Sequence, residues 1–566
     1  MSLTASMTQH NGYQTMSFRP AHFVGETQPP LLEATIGQCL RDAARKWPDS
    51  DAVVFREQGA RLTFAELEDR CGRFAQGLLD RGIRPGARVA IWAPNCVEWV
   101  IAQFGTALIG TILVCINPAY RREELRHALQ LTDCAAIVTA VEFRGQNYIA
   151  MLRELVPAAD EHGELRATSR ELPSLRRLIS IGPGEFEGFE PFDRLLASPP
   201  TADMARHAPS DPNEAVAIQF TSGTTGRPKG ATLTHRNLVN NAYLCGWGQR
   251  FGEGEHICLP VPLYHCFAMV LGSLAGLVHG AAVVYPSAAF EPGATLAAIE
   301  EERCTAVYGV PTMFVGLLAH ESFAQRDVSS LRTGIMGGAP CPPELMRRAI
   351  SDMNMRDVTI CFGMTETSPT SFQTSPDDSI ERRVQTVGRV IPHAEARIVR
   401  ADGSTAEIGE AGEIAVRGPS VMLGYWRQPE ATAEVIVNGW MMTGDLGILD
   451  ESGYLQVVGR RKELIIRGGE NVYPREVEDV LFAHPEIEQA YVFGVEDARL
   501  GEEVCAWILQ ADGASLTAED ITAYCRDRLA FFKVPRHVRF VSAFPMTVTG
   551  KVQKFVMQQE MRAALS

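Results

Sequence analysis

The sequence predicts an α/β protein of two parts, a large N-terminal domain of α/β subdomains and a small α+β C-terminal domain. Three observations carry this. The chain has 566 residues, beyond the ~250 to 300 at which single cores stop growing. Helical patterns alternate with short β-rich runs, the mark of an α/β fold. A charged break at Arg460-Arg461-Lys462-Glu463 then precedes about a hundred residues with strand-like runs of their own, Ala490 to Gly494 and Val504 to Leu509.

Met1 to about Pro30 is polar and lacks an apolar core, so it reads as a flexible lead-in and not a signal peptide. A helical pattern runs from Leu62 through Arg81, and strands are expected at Arg88 to Trp92, Ala135 to Val138, Ala281 to Tyr285 and Ala306 to Val310. The apolar run Trp99 to Ile116 is broken by Gln103, Gly105, Thr106, Gly110 and Thr111. A buried helix followed by a strand fits it better than a membrane span, which needs about 20 mostly apolar residues. Peripheral membrane contact stays open, as does a homodimer. A hydrophobic content of 46% and a charged content of 21% describe an ordinary globular protein. The formal charge of −15 argues against a nucleic-acid surface. Thirteen scattered cysteines without a C-x-x-C pair suit reduced thiols in the cytoplasm and no cysteine metal site.

Behind the apolar run Ala215 to Ile218 comes Thr221-Ser222-Gly223-Thr224-Thr225-Gly226-Arg227-Pro228-Lys229-Gly230. Hydroxyls and glycine-exposed N–H groups donate to phosphate oxygens, and Lys229 neutralises charge as pyrophosphate leaves. The Walker A template fails, since Lys229 follows Pro228 and precedes Gly230. A solvated linker is the plain alternative, but Arg, Pro and Lys at its far end are poor linker composition.

This stretch resembles the phosphate-binding loop of the adenylate-forming enzymes: acyl-CoA synthetases, peptide-synthetase adenylation domains and luciferases. Further matches begin near residues 262, 337, 362, 443, 459 and 545, in the family's order. The resemblance implies ATP, Mg²⁺ and CoA as cosubstrates and cofactor, and a small carboxylic acid as substrate. In Cys361 to Thr367, the ring of Phe362 can stack on adenine beside Gly363, Thr365 can bond a phosphate and Glu366 can hold Mg²⁺. The family often has Tyr where Phe362 stands. Gly337-Gly338-Ala339-Pro340 resembles the segment lining the adenine and acyl pockets. Asp445 corresponds to the ribose contact and Arg460 to a second ribose or phosphate contact.

Lys462 matches the hinge position, which divides a large ATP- and acyl-binding domain, 31–461, from a small mobile one, 462–566. Pro545 to Lys551 resembles the segment bearing the catalytic lysine, so Lys551 is expected to bridge the acyl carboxylate and the α-phosphate. Lys554 stands where the family usually has Arg. Arg467 to Glu476, with Gly468 and Gly469, resembles the loop over the pantetheine arm of CoA, which favours a CoA thioester product.

Pro262 to Leu271 resembles the acyl-pocket motif, with His265, Phe267 and Gly337 as walls. It offers no acidic anchor for an amino group, so an aliphatic acid is expected. His265 reads as a wall or gate and not a base, because a carboxylate has no proton to lose. The nearest resemblance is to medium-chain fatty-acyl-CoA synthetases. An acyl-AMP ligase loading a carrier protein, a ligase for a short, branched or aryl acid, and a non-catalytic nucleotide sensor are the alternatives.

Overall fold

The structure is a computed structural model and describes residues 19–156, 160, 164, 169–202, 204–221, 228–339, 341–497, 499–546 and 552–565. Two mostly parallel sheets dominate the large domain. In the eight-stranded one, Arg88–Trp92 pairs in parallel with Ile112–Cys115 and with Cys134–Ala140. Val97–Leu108 makes the first crossover and is buried at every residue but Glu98, which is why its sequence is apolar on all sides. The run Trp99 to Ile116 is thus a buried helix and strand, as expected. Among the described residues no helix is long and apolar enough to cross a membrane.

The expected helix begins at Phe64, not Leu62, and ends at Asp80. Leu62 belongs to the strand Ala60–Thr63, and Thr63 caps the helix reciprocally with Glu66, a capping box that stops the helix growing backwards. The other expected strands appear as Cys134–Ala140, Ala282–Tyr285 and Ala306–Gly309.

The nine-stranded sheet has a parallel centre, in which Asp357–Gly363, Thr333–Gly337, Ala306–Gly309, His256–Cys258, Ala282–Tyr285 and Asp51–Phe55 lie side by side. Gly337 and Gly363 therefore end two neighbouring parallel strands, at the carboxyl edge where open α/β sheets bind ligands. A six-stranded antiparallel sheet that includes Trp440–Leu449 and Leu455–Arg460 completes the large domain. The small domain has a five-stranded sheet drawn from Ile465–Arg467, Glu470–Val472, Ile487–Asp497, Gly501–Gln510 and His537–Phe540, with its own core around Ile465, Val477, Val492 and Ile521. All thirteen cysteines are free thiols, and all but Cys361 are buried.

His235 ties the first helix of the large domain, Ile36–Lys46, to the middle of the domain. It opens the helix His235–Gly248, is 1% exposed, and its Nδ1 accepts the N–H of Ile36 at 3.1 Å. Burial pushes its pKa down to about 4. The native state thus refuses a proton that the unfolded chain takes up below about pH 6.5. Stability is full above that pH and declines towards pH 4, by about 3 kcal/mol at ~1.4 kcal/mol per pH unit. Denaturant midpoints should fall more steeply over this window for the wild type than for His235→Gln. Parallel pH curves would remove His235 as the cause.

Candidate active site

Ala215–Thr221 and Lys229–Thr234 pair antiparallel, with Thr221 opposite Lys229, so the phosphate-loop residues connect two strands and not a strand and a helix. Ser222, Gly223, Thr224, Thr225 and Gly226 lie outside the described residues, as do Pro340 and Lys551. Lys229 opens the returning strand, and its ammonium sits 4.9 Å over the ring of Tyr425. Tyr425 is brought there by the two-residue strand Gly424–Tyr425, which pairs with Ala231 and Thr232. Its hydroxyl donates to Glu366 Oε1 at 2.7 Å. Burial, and then Glu366, hold the Tyr425 hydroxyl well above its ordinary pKa, so it stays a donor. Sequence reasoning missed Tyr425, whose one local signal is an aromatic pair after a glycine, Gly424-Tyr425-Trp426.

Glu366 is 4% exposed, and among the described residues no ion pair neutralises it. A buried carboxylate whose bonded oxygen is held by a hydroxyl fits a hard divalent cation that takes few protein ligands and keeps its waters. The neighbouring Thr365 Oγ1 lies 3.6 Å from Cys266 Sγ, and Cys266 Sγ lies 3.7 Å from His265 Nδ1. That ring nitrogen also accepts the N–H of Phe267 at 3.2 Å. The segments expected to bind nucleotide and acyl chain, about a hundred residues apart in sequence, therefore touch. Phe267–Leu274 is a π-helix, a wide turn frequent at functional sites.

Gly337 pairs with Cys361, and a side-chain carbon on Gly337 would lie 3.9 Å from the ring of Phe267. Phe267, stacked on Tyr308 at 5.8 Å, thus shares a wall with Gly337. Gly338, at φ +81°, and Ala339 are exposed beyond it. Phe362 is half-buried and meets Phe372 edge-on at 6.1 Å. Gly363 cannot carry a side chain: a Cβ there would lie 1.9 Å from the Pro369 carbonyl oxygen. Gly363→Ala should cost about 1–3 kcal/mol, the range for overpacking, with the loss read from the thermal midpoint. A variant as stable as the wild type would show that this turn can give way.

Asp445 and Arg460 stand opposite each other on antiparallel strands, with Nε 3.1 Å from Oδ1. Asp445, expected to contact ribose, and Arg460, expected to contact ribose or phosphate, are paired with one another here. The Arg460 side chain is 63% exposed and that of Asp445 12%, so the arginine is the one free to swing. Lys462 is exposed in the turn that follows. Gly468 and Gly469, at φ +63° and +89°, form the turn between Ile465–Arg467 and Glu470–Val472, a conformation that favours glycine. The Gly468 N–H donates to the Leu500 carbonyl at 2.7 Å, within the small domain.

Residues 40–426 match the family model for the AMP-binding enzyme, and residues 476–551 the model for the AMP-binding enzyme C-terminal domain. The chain is 43% identical over 555 residues to the medium-chain acyl-CoA ligase ACSF2, mitochondrial, of Danio rerio, covering 94% of this chain and 89% of that one. Its fold matches the anthranilate CoA ligase AuaEII in complex with anthranoyl-AMP, with TM-score 0.83, 26% identity and 94% and 98% of the two chains covered. ATP-bound MatB from Rhodopseudomonas palustris matches with TM-score 0.82, 28% identity and 94% and 100% covered. Matching models in both domains, on a fold shared along nearly the whole length, show that the chain belongs to the AMP-binding enzyme family.

Proposed function

We propose that this enzyme is an ATP-dependent, AMP-forming acyl-CoA synthetase for medium-chain fatty acids. An acid and ATP give acyl-AMP and pyrophosphate, and acyl-AMP and CoA then give acyl-CoA and AMP. The observation that carries the reading is the contact of Thr365 with Cys266, which joins a nucleotide motif to an apolar segment without an acidic anchor. The medium-chain acyl-CoA ligase named above supports the substrate class.

In this reading the loop from Thr221 to Lys229 holds the β- and γ-phosphates, Phe362 stacks on adenine, and Gly338, Ala339, Pro340 and Gly363 let the nucleotide lie against backbone. Asp445 accepts from the ribose hydroxyls, and Arg460 leaves it to meet the nucleotide. Glu366 is the carboxylate that would hold Mg²⁺, whose chemistry is to offset phosphate charge. Thr365 donates to the α-phosphate, and Lys551 bridges it to the acyl carboxylate, so the two anions meet without repulsion. His265, Phe267 and Gly337 wall the acyl chain. After rotation about Lys462, Gly468 and Gly469 pass the pantetheine arm. The free thiols support a cytoplasmic location.

Pyrophosphate and AMP release should be measured across straight-chain acids from acetate to palmitate, and for benzoate, with and without CoA. Turnover that peaks at a middle length and consumes CoA is expected. Pyrophosphate release without CoA consumption would favour carrier-protein loading, and a benzoate optimum would overturn the aliphatic pocket.

A further inference from the structure

The small domain contains a cation that the steps above leave unused. Lys554 opens the helix Lys554–Leu565, and its Nζ lies 2.9 Å from Glu478 Oε1 and 3.0 Å from Glu463 Oε2. The side chains of Lys554 and Glu478 are 18% and 7% exposed. Burial works against the ammonium's charge, but Glu478 and Glu463 outweigh it and hold its pKa above the ordinary lysine value. Glu478 is anchored inside the small domain, on the helix Pro474–Phe482, where it also accepts the N–H of Val492 at 2.9 Å.

Glu463 is placed differently. It lies one residue beyond Lys462, between Leu455–Arg460 of the large domain and Ile465–Arg467 of the small one, and its N–H closes a turn on the Arg460 carbonyl at 2.9 Å. We propose that Lys554 is a positioning residue that clamps the linker, through Glu463, to the small domain, so that bending is confined to Lys462 and the domain turns as one body. A few terminal residues that absorb the dihedral change are all a hinge needs. A partly buried ion pair just past them stops the flexibility from spreading, because Lys554 holds Glu463 while Glu478 fixes that lysine to the small domain. The proposal rests on the two-step reading with Lys462 as pivot.

The test uses the full chain with Glu463→Gln, which releases the linker yet leaves the pair of Lys554 with Glu478. Arg460, Arg461 and Lys462 are exposed, so trypsin reads local opening of the linker once each rate is divided by that on the same variant unfolded, since residue 463 adjoins the Lys462 bond. Cleavage there should be about tenfold faster than in the wild type with the thermal midpoint unchanged, as expected for a local opening equilibrium. The ratio of acyl-AMP formation to thioester formation from supplied acyl-AMP should shift by about fivefold or more. Lys554→Arg should retain wild-type cleavage and ratio. A wild-type cleavage rate, an unchanged ratio, or faster cleavage matched by a lower midpoint in Glu463→Gln would each overturn the clamp. Failure of the two-step reading itself would appear separately, as a wild-type protein that forms no acyl-AMP.

Discussion

Replacing Lys551 by alanine is expected to slow acyl-AMP formation by about three orders of magnitude, while thioester formation from supplied acyl-AMP changes by less than about threefold. The asymmetry follows from where charge develops. In the first step two anions, the carboxylate and the α-phosphate, must approach and share a fifth bond to phosphorus, and a single ammonium between them removes most of the repulsion. In the second step AMP departs and a thiol attacks, and in the proposed two-step reading the small domain has turned about Lys462 by then. On either side of this segment in sequence, Met546 pairs with Val552, and the Gln553 N–H donates to the Pro545 carbonyl at 2.8 Å. The two half-reactions are separated by pyrophosphate exchange and by a CoA-dependent assay on synthetic acyl-AMP. Equal losses in both would end the role given to this lysine.

Glu366→Gln is expected to lower acyl-AMP formation by about two to three orders of magnitude and to raise the half-saturating Mg²⁺ concentration by at least about tenfold. The amide keeps the carboxylate's shape and can still accept the hydroxyl of Tyr425, so only the charge is lost. Stability should hold or rise, because burying a carboxylate to 4% exposure with no ion-pair partner among the described residues costs more than burying a neutral amide. Mn²⁺ binding in the presence of ATP, followed by electron paramagnetic resonance, separates a lost cation site from general damage. Wild-type Mn²⁺ binding in the variant would remove Glu366 from the cation site.

Much of this architecture can be read along the chain because the signals are local. Thr63 and Glu66 cap their helix within four residues, and the strand before the phosphate loop is marked by its apolar run. Asp445 and Arg460 illustrate the limit. Each is visible as a candidate nucleotide contact, yet their pairing with each other depends on the antiparallel register of two strands, and register is a tertiary property.

The sequence by itself determined the α/β class, the order of the nucleotide motifs and the apolar character of the acyl segment, since composition, periodicity and contiguous motifs are written within short windows. Only the tertiary structure decided that Tyr425 reaches Glu366 across 59 residues and also meets Lys229, that Cys266 meets Thr365, and that Lys554 reaches Glu478 across 76 residues. Such contacts are made where separate strands and helices pack, and no pattern within either partner's neighbourhood encodes which distant side chain will arrive.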